Sequence, residues 1–316
     1  MTPFQSPADY VGVDVSKQHL DLAMAGARVV RVANTPAGMV RLIAHLAGLS
    51  RPHLVCEATG SHTRLMASQM ARHGIALSRV NPRRVRDLAR ASGQLAKTDA
   101  IDAQMILRFA HTMQPHPSPA PEPAAAELAD LVRRRRQVVD MLAMEKQRRD
   151  HPEAETVKAS IAAHIAFLVD TVAQLDKAIA GRIRTEPAMA RRMDLLASIP
   201  GIGQTTAAVL IAEMPELGSI GNKQAAALAG VAPFTRDSGQ MRGQAHIAGG
   251  RLSVRCALYM ATIAAIRANP PIKAFYRHLR DQGKPAKLAI VAAMRKLIIT
   301  ANAVLTNQKP WTKSQT

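Results

Sequence analysis

Two short apolar runs near the start of the chain each carry one carboxylate, and this feature restricts the fold more than any other. The run VGVDV, Val11–Val15, contains Asp14, and the run HLVCE ends in Glu57. Apolar runs of this length are typical of buried β-strands. An ionised carboxylate in a buried strand is costly unless it pairs with a cation or binds a metal. Both acids are therefore candidates for a charged functional site.

The first 110 residues alternate between strand patterns and amphipathic helix patterns. Thr35 and Pro36 suit the start of a helix, whereas Gly26 suits a turn and Gly74 a helix end. The predicted elements, in order, are strands at 11–15, 16–26 and 27–34, a helix at 35–49, a strand at 51–62, a helix at 62–74, a strand at 75–82 and two helices within 83–110. An RNase H-like (RuvC-like) nuclease domain requires this order. We expect an α/β domain of that class over residues 1–118.

A pair of acids lies in the last of these helices. Asp99 and Asp102 are three residues apart in LAKTDAIDAQMILRFA, Leu95–Ala110, so both carboxylates lie on one helix face. Like charges at this spacing destabilise a helix unless a cation lies between them. A divalent metal is the obvious candidate for that cation.

Four acids together form the predicted metal site. In RNase H-like nucleases, acids from the first and fourth strands and from a late helix converge on two divalent metals. The metals clamp the attacking and leaving oxygens of a phosphodiester. Carboxylates suit Mg²⁺, and Mn²⁺ can take its place. The predicted ligands are Asp14, Glu57, Asp99 and Asp102, whereas Asp21 and Asp87 are interpreted as surface acids.

A proline-rich segment at residues 111–125 separates this domain from two long helical patterns. Such a segment is typical of a semi-rigid linker. Pro152 separates the two helices, and apolar residues of the second recur at three-to-four spacing: Ile161, Ile165, Leu168, Val172, Leu175 and Ile179. We expect a coiled-coil-like arm over residues 119–190 that brings protomers together. The run Arg133–Arg136 either contacts nucleic acid or is a solvated surface.

Residues 191–316 predict a mainly helical domain that begins with a helix-hairpin-helix. Within residues 193–214, a Pro-Gly-Ile-Gly turn joins two apolar helices. Gly201 and Gly203 permit a tight turn whose amides can donate to a phosphate at a helix N-terminus. The alternative is a structural hairpin between two packed helices.

A polar, glycine-rich loop is expected from Thr235 to Gly250, after a helix from Lys223 to Gly230. Loops of this length are often functional. This one holds Ser238 in the sequence RDSG, although a serine in such a setting is more often a turn former. Further helices are predicted at residues 252–269, 271–280 and 285–305.

Positive charge is in large excess and is unevenly distributed. The net charge is +19, and residues 191–316 alone hold 17 basic against 5 acidic residues. Residues 1–118 hold 14 basic and 7 acidic residues, whereas residues 119–190 are neutral. Such an excess suits a polyanion, because each phosphate contact releases counterions. Aromatic residues make up only 3% of the chain, so base stacking is not expected to be the main mode of binding.

Other bulk features predict a soluble, intracellular protein that is not associated with a membrane. The sequence contains no run of 18 apolar residues, and its start lacks a secretory pattern. Cys56 and Cys256 lie in apolar surroundings without metal-ligand spacing, which predicts two buried thiols.

Several sequence blocks together resemble the IS110-family transposases, which have a DEDD-type RuvC-like domain and a C-terminal IS116/IS110/IS902-type transposase domain. The blocks, in the order of that family, are VGVDVSK, CEATGSH, AKTDAIDA, SIPGIGQTTA, LAGVAPFTRDSG, RGQAHIAGGR and VRCALYMA. The resemblance covers nearly the whole chain. It implies the transposase, or recombinase, of an insertion sequence, which carries out transposition by DNA recombination. A protein of this family is expected in the bacterial cytoplasm, associated with the nucleoid.

The resemblance also implies roles for individual residues and partners. The four acids become a Mg²⁺-binding tetrad, and Ser238 becomes the nucleophile that cuts and rejoins DNA. Ser253, in GRLSVR, is the fallback nucleophile and is interpreted as a helix cap. A structured guide RNA (bridge RNA) encoded by the non-coding end of the element is expected to pair with donor and target DNA. We expect a dimer that assembles into a tetramer on two DNAs.

Basic side chains and two glycines are the predicted nucleic-acid contacts. Arg236, Arg242 and Arg251 lie near Ser238 in sequence and could hold the scissile or flanking phosphates. The full predicted set is Arg83, Arg84, Arg86, Lys97, Gly201, Gly203, Arg236, Arg242, Arg251 and Arg255.

Two other functions remain open at this point. A RuvC-like Holliday-junction endonuclease would cut with water and would not need Ser238. A non-catalytic nucleic-acid-binding protein would use the acids only structurally, although acids embedded in buried strands bring such a protein no benefit.

Overall fold

The structure is a computed structural model that describes residues 8–58, 60–94, 96, 98–118, 122–151, 154–235, 243 and 245–312. The chain divides into two compact units, Met1–Pro121 and Glu122–Thr316. Each unit has its own hydrophobic core. The predicted domain boundaries after residues 118 and 190 stay predictions.

A five-stranded sheet forms the centre of the described part of the first unit. Its strands are β1 Asp9–Val15, β2 His19–Met24, β3 Val30–Ala33, β4 Pro52–Glu57 and β5 Ala76–Val80, in the spatial order β3-β2-β1-β4-β5. β1, β2 and β3 pair antiparallel, whereas β4 pairs parallel with β1, and β5 with β4. Gly26 has a positive φ of 71° between β2 and β3, as a tight turn requires. The predicted α/β class is confirmed.

Helices cover both faces of this sheet. They are α1 Pro36–Leu46, α2 Arg64–Arg72, α3 Pro82–Ala91 and α4 Asp99–Met113, with a 3₁₀ helix at Gly60–Thr63 before α2. Thr35 Oγ1 caps α1 by accepting a hydrogen bond from the Gly38 amide at 3.2 Å. One core cluster joins α1 and α2 to the sheet, and another joins α3 and α4 to it.

Helix α4 lies directly against β1 at Gly12. A Cβ atom on Gly12 would lie 2.3 Å from the Ala103 carbonyl oxygen and 2.4 Å from the Leu107 amide nitrogen. Both distances are far below van der Waals contact, so glycine is what lets the helix backbone come this close. Gly12 and Asp14 are two residues apart in a strand and face the same side of the sheet. The first turns of α4 are therefore brought to the face that carries Asp14.

The described part of the second unit is mainly helical, as predicted. Its helices are α5 Pro123–Arg149, α6 Glu155–Thr185, α7 Pro187–Ala197, α8 Gln204–Glu213, α9 Asn222–Leu228, α10 Leu252–Ala268, α11 Pro270–Asp281 and α12 Ala286–Asn307. Strands β6 Pro233–Phe234 and β7 His246–Ile247 pair antiparallel. The prediction of a loop throughout Thr235–Gly250 is therefore wrong at β7. A two-residue pairing is too short to leave a periodic signal in the sequence.

Helices α5 and α6 form an antiparallel hairpin. The six apolar residues that their spacing places on one face of α6 are all buried or half-buried. Across the hairpin, Arg135 Nε lies 2.5 Å from Asp176 Oδ1, and Arg182 Nε lies 2.8 Å from Glu127 Oε2. Within the run Arg133–Arg136, Arg135 thus has a structural role, because it joins the two helices.

Among the described helices, α6 and α12 are long and apolar enough to cross a membrane by length and composition alone. The apolar window of α12 is 61% buried inside the fold, and that of α6 is 6% buried. One or two such helices are weak evidence for a membrane span, since the core helix of a soluble protein passes the same test.

The two cysteines differ in burial. Cys56 is buried in β4 as predicted, and this burial raises its thiol pKa to about 12. The prediction of a buried Cys256 is wrong, because that residue is exposed. It lies on α10 beside the buried stripe formed by Val254, Leu258 and Ala261, and faces away from the core.

We expect Gly12→Ala to destabilise the first unit by about 1–3 kcal/mol, because the added methyl group would force α4 away from β1. Urea unfolding followed by far-UV circular dichroism measures this loss. Gly48→Ala is the matched control, since a Cβ atom there meets nothing within 4 Å. Its midpoint should equal or slightly exceed that of the wild type. Equal midpoints for both variants would contradict the close approach of α4 to β1.

Candidate active site

Three charged residues form a row across strands β1, β2 and β3. Asp14 lies directly opposite Asp21, and Asp21 lies directly opposite Arg31. Directly opposite residues in antiparallel strands share one face of the sheet. Asp14 and Gly12 also share a face, so the row lies on the side of the sheet that α4 covers.

The first turn of α4 supplies two more acids. Thr98 Oγ1 caps this helix by accepting a hydrogen bond from the Ile101 amide at 3.3 Å. Asp99 and Asp102 follow within the first turn, where the helix dipole favours negative charge. Arg31 Nη2 donates to Asp99 Oδ2 at 2.8 Å, so the start of α4 meets the charged row on the sheet.

The carboxylates of β1, β2 and α4 are close enough to affect one another. Burial raises the pKa of Asp14, and repulsion from Asp102, Asp99 and Asp21 raises it further. Asp14 is half-buried, so solvent only partly screens the repulsion between its carboxylate and the carboxylates of the other three acids. The structure thus brings together three of the predicted tetrad residues, Asp14, Asp99 and Asp102.

Glu57, the fourth predicted acid, ends the strand next to β1. Val13 pairs with Cys56 in the parallel ladder between β1 and β4. Glu57 follows Cys56 in β4, and Asp14 follows Val13 in β1. The two acids therefore lie side by side at the ends of adjacent parallel strands. Its side chain is half-buried at the end of the strand. The topology therefore places Glu57 on the strand adjacent to Asp14.

The interpretation of Asp21 as a surface acid is wrong. Asp21 is only 4% exposed, and both of its carboxylate oxygens accept hydrogen bonds from Arg31, at 2.9 and 3.0 Å. A signal for this existed in the sequence, since Asp21 alternates with Leu20 and Leu22 in a predicted strand. Asp87 behaves as predicted: it is exposed and lies 3.8 Å from Arg83 Nε.

The donor atoms of this cluster suit a hard divalent cation. Carboxylate oxygens are the ligands that Mg²⁺ and Mn²⁺ prefer. Burial raises the pKa of Asp14, and the negative charges of Asp102, Asp99 and Asp21 raise it further. Among the described residues, however, no three His, Cys, Asp or Glu side chains are arranged to hold one ion. The residues thus fit a metal by chemistry and by charge, and their side chains would have to turn toward it.

Some predicted site residues lie outside the described residues, namely Lys97, Arg236, Ser238 and Arg242. The two ends of the Ser238 loop are nevertheless well defined. A Cβ atom on Gly250 would lie 2.2 Å from the Gly230 amide nitrogen, so the chain before the loop touches the chain after it. Arg255 Nη1 donates to the carbonyls of Gly249 at 2.8 Å and Gly230 at 3.4 Å. Arg255 therefore fastens the base of the loop.

The interpretation of Ser253 as a helix cap is wrong. Its hydroxyl donates to the Glu213 carboxylate, and α10 is preceded by Arg251 at the cap position. Burial raises the pKa of Glu213, whereas Arg136, Arg133 and Arg251 act in the opposite direction. Arg251 itself donates to the Glu213 carbonyl at 2.6 Å and to Glu216 Oε1 at 2.5 Å. Ser253 and Arg251 thus join α10 to the end of α8, and phosphate binding by Arg251 stays a prediction.

Five other predicted contacts with nucleic acid can be located, three on α3 and two in the turn before α8. On α3, Arg83, Arg84 and Arg86 are all exposed, and the Arg84 guanidinium lies 5.3 Å from the ring centroid of Phe109. In the turn between α7 and α8, Gly201 has φ 105°, and a Cβ atom there would lie 2.4 Å from Ala265 Cβ. Packing against α10 therefore suffices to explain Gly201. Gly203 precedes α8 in open space.

Comparison with known proteins finds two family models on the chain. One, described as a transposase with the DEDD domain of IS110, matches residues 11–151. The other, described as a transposase of the IS116/IS110/IS902 family, matches residues 193–277. The first match includes all four acids of the candidate cluster, and the second includes Ser238.

Several curated relatives are similar to the chain. The pilin gene-inverting proteins of Moraxella bovis and Moraxella lacunata are each 29% identical over 315 residues, which cover 96% of this chain and 98% of the relative. An uncharacterized 43.6 kDa protein of insertion element IS110 from Streptomyces coelicolor is 31% identical over 113 residues, or 35% of this chain and 28% of the relative. The chain therefore belongs to the IS110 family of transposases and is an enzyme that cleaves and rejoins DNA.

Proposed function

We propose that the protein is the recombinase of an insertion sequence and exchanges DNA strands with a metal-binding acid tetrad and a serine nucleophile. The observation that carries this proposal is the close contact of α4 with β1 at Gly12, which brings Asp99 and Asp102 to the face of the sheet that carries Asp14. Burial and repulsion from these acids raise the pKa of Asp14. Repulsion between acids on a sheet and on a helix reduces the stability of a fold. Such an arrangement is typical of a functional site, and metal catalysis requires it. The strand order β3-β2-β1-β4-β5 supports an RNase H-like fold.

Asp14, Glu57, Asp99 and Asp102 would hold the metal, with two Mg²⁺ ions as the expected number and Mn²⁺ as a substitute. Bound ions would neutralise charge on the phosphoryl group and lower the pKa of an attacking hydroxyl. Asp14 is fixed by the β1–β2 ladder, whereas Asp99 and Asp102 are fixed by the capped first turn of α4. The ligands on these elements would thus keep their spacing while only side chains turn.

Ser238 Oγ would attack the phosphorus atom of a DNA strand and release a deoxyribose hydroxyl. The product is a diester between the serine and the DNA strand, which keeps the energy of the broken bond. A hydroxyl of another strand would then attack this diester, form the new phosphodiester and return Ser238 to its starting state. Water as the nucleophile would cut the strand without rejoining it. The fastened base of the loop supports this role, because a nucleophile needs a defined position.

The expected binding partners of the protein are inferred from its net charge and from its similarity to the relatives. A net charge of +19 supports binding to donor and target DNA and to a structured guide RNA. The near full-length similarity to the pilin gene-inverting proteins favours exchange between two DNA sites, of which inversion is one outcome. The α5–α6 hairpin exposes Phe167 and Val169, which supports its use in a dimer that becomes a tetramer on DNA.

We expect Ser238→Ala to remove the covalent protein–DNA adduct and to reduce strand rejoining by roughly a thousandfold or more, because its nucleophile is lost. Denaturing gels of reactions on a plasmid with the element ends measure both. Ser253→Ala is the control: it loses one hydrogen bond, worth about 1 kcal/mol of stability, and should keep the adduct. A Ser238→Ala protein that cuts at the full rate would instead favour a Holliday-junction endonuclease that uses water.

The carboxylate of Asp14 should reduce the stability of the metal-free protein at pH 7. Its pKa is raised in the folded state, so its contribution to stability falls as the pH rises past 3.8 and stays unfavourable above the folded-state pKa. We therefore expect Asp14→Asn to raise the thermal unfolding midpoint in EDTA and to abolish cleavage. Added Mg²⁺ should raise the midpoint of the wild type and not that of the variant.

Asp9, at the start of the same strand, is the control for the Asp14 substitution. Hydrogen bonds from the Arg51 amide and the Ser50 hydroxyl lower the pKa of Asp9, so its charge stabilises the fold above the unfolded-state pKa. Asp9→Asn should therefore lower the midpoint while leaving cleavage in place. A lower midpoint for Asp14→Asn as well would contradict the repulsion between the acids.

The guide RNA should co-purify with the protein when it is expressed beside its native flanking DNA. We expect sequencing to find one dominant structured RNA whose loops match the element ends and a target, because base pairing would supply the specificity. Bulk cellular RNA alone would show that the basic surface binds without selection, and the DNA would then be read by the protein.

A further inference from the structure

The guanidinium of Arg31 contacts two acids at once. Its Nε and Nη2 donate to the two oxygens of Asp21 at 2.9 and 3.0 Å, and Nη2 also donates to Asp99 Oδ2 at 2.8 Å. The Asp21 side chain is 6% exposed, whereas those of Arg31 and Asp99 are 51% and 61% exposed. Arg31 thus reaches from a buried acid on the sheet to an acid on α4.

The contact between Arg31 and Asp21 fixes the guanidinium in place. The two residues lie directly opposite each other in the β2–β3 ladder, and the two-pronged contact matches the planar shapes of both groups. Their charges cancel, so the pair adds no net charge beside Asp14, Asp99 and Asp102. Arg31 binds both carboxylate oxygens of Asp21, whereas its hydrogen bond to Asp99 uses the Oδ2 atom.

We propose that Arg31 is a positioning residue for the metal site, held by Asp21, which orients the carboxylate of Asp99. A carboxylate has two oxygens, and a hydrogen bond to Oδ2 leaves Oδ1 to face a metal ion. Metal-binding carboxylates are commonly hydrogen-bonded in this way, and loss of such a partner weakens metal binding. This role rests on the proposed function, since it requires Asp99 to be a ligand.

In the opposite role, Arg31 would compete with the metal for Asp99. The ion pair between Arg31 and Asp99 is too weak for this role. An ion pair between side chains that are half exposed changes an equilibrium by at most about fivefold. Such a contact is too weak to keep a divalent ion from several carboxylates. The strong part of the arrangement is the buried contact with Asp21, which keeps Arg31 in place whether or not Asp99 binds a metal.

The test is a Mn²⁺ titration of the full-length protein without nucleic acid, in which electron paramagnetic resonance measures the free ion. We expect Arg31→Gln to weaken Mn²⁺ binding about fivefold, which is the limit for the loss of a half-exposed contact. Arg31→Lys keeps the charge without the two-pronged donor, so its affinity should stay near that of Arg31→Gln. Arg28→Gln, an equal change of charge at an exposed position of the same hairpin, should bind like the wild type.

Arg31→Gln leaves the buried Asp21 without its cation, so the variant could lose stability. The double variant Asp21→Asn/Arg31→Gln removes both charges and avoids that problem. It should show the wild-type circular dichroism spectrum and the same roughly fivefold weaker Mn²⁺ binding. A purely structural role for the pair predicts wild-type affinity in this folded double variant.

The possible outcomes separate this role from the metal site itself. Wild-type or tighter Mn²⁺ binding by both Arg31→Gln and the double variant would overturn the positioning role of Arg31. Asp102→Asn tests the site, because it should reduce Mn²⁺ binding whatever Arg31 does. If the wild type and Asp102→Asn bind Mn²⁺ equally, the proposed metal site is wrong, and the role of Arg31 is wrong with it.

Discussion

The contact between helix α4 and strand β1 at Gly12 is the constraint on which the candidate site depends. A side chain at this position would occupy the space of the Ala103 carbonyl and the Leu107 amide. Because glycine has no side chain, the backbone of α4 can lie against the backbone of β1. The first turn of α4 therefore comes close to Asp14, the next residue of β1 on the same face of the sheet. The acids of the helix and of the sheet then act as one electrostatic group, which the raised pKa of Asp14 reflects.

That electrostatic group is balanced only in part. Arg31 supplies one positive charge, and two of its N–H groups donate to the buried Asp21. Burial of Asp14 and repulsion from Asp102, Asp99 and Asp21 raise the pKa of its carboxyl. The second unit relies on close backbone contact as well. Gly230 and Gly250 touch, and Arg255 bridges two carbonyls there, so a long loop of the transposase begins and ends at one defined point.

Much of the fold could be predicted from the sequence because the signals are local. Periodicity, capping residues and glycine turns depend on neighbours within a few positions, and the strands and helices lie where those signals placed them. Errors arose where the outcome depends on distant residues. Asp21 is buried because Arg31 pairs with it and α4 covers that face of the sheet. Ser253 donates its hydroxyl to Glu213, which is 40 residues away in sequence. Cys256 was misplaced because a helix has a buried and an exposed face, and only packing decides which residues line each.

The sequence by itself determined the order of elements, the excess of basic charge and the membership of the IS110 family. It also identified the four acids, because acids in apolar strands and paired acids on a helix are unusual in a single stretch of chain. Only the tertiary structure decided that the carboxylates of Asp99 and Asp102 repel that of Asp14. It also decided that Arg31 donates a hydrogen bond to Asp99, 68 residues away in sequence. The physical reason is distance. Electrostatic and hydrogen-bonding partners are set by separation in space, and that separation depends on a packing contact without a local sequence signature.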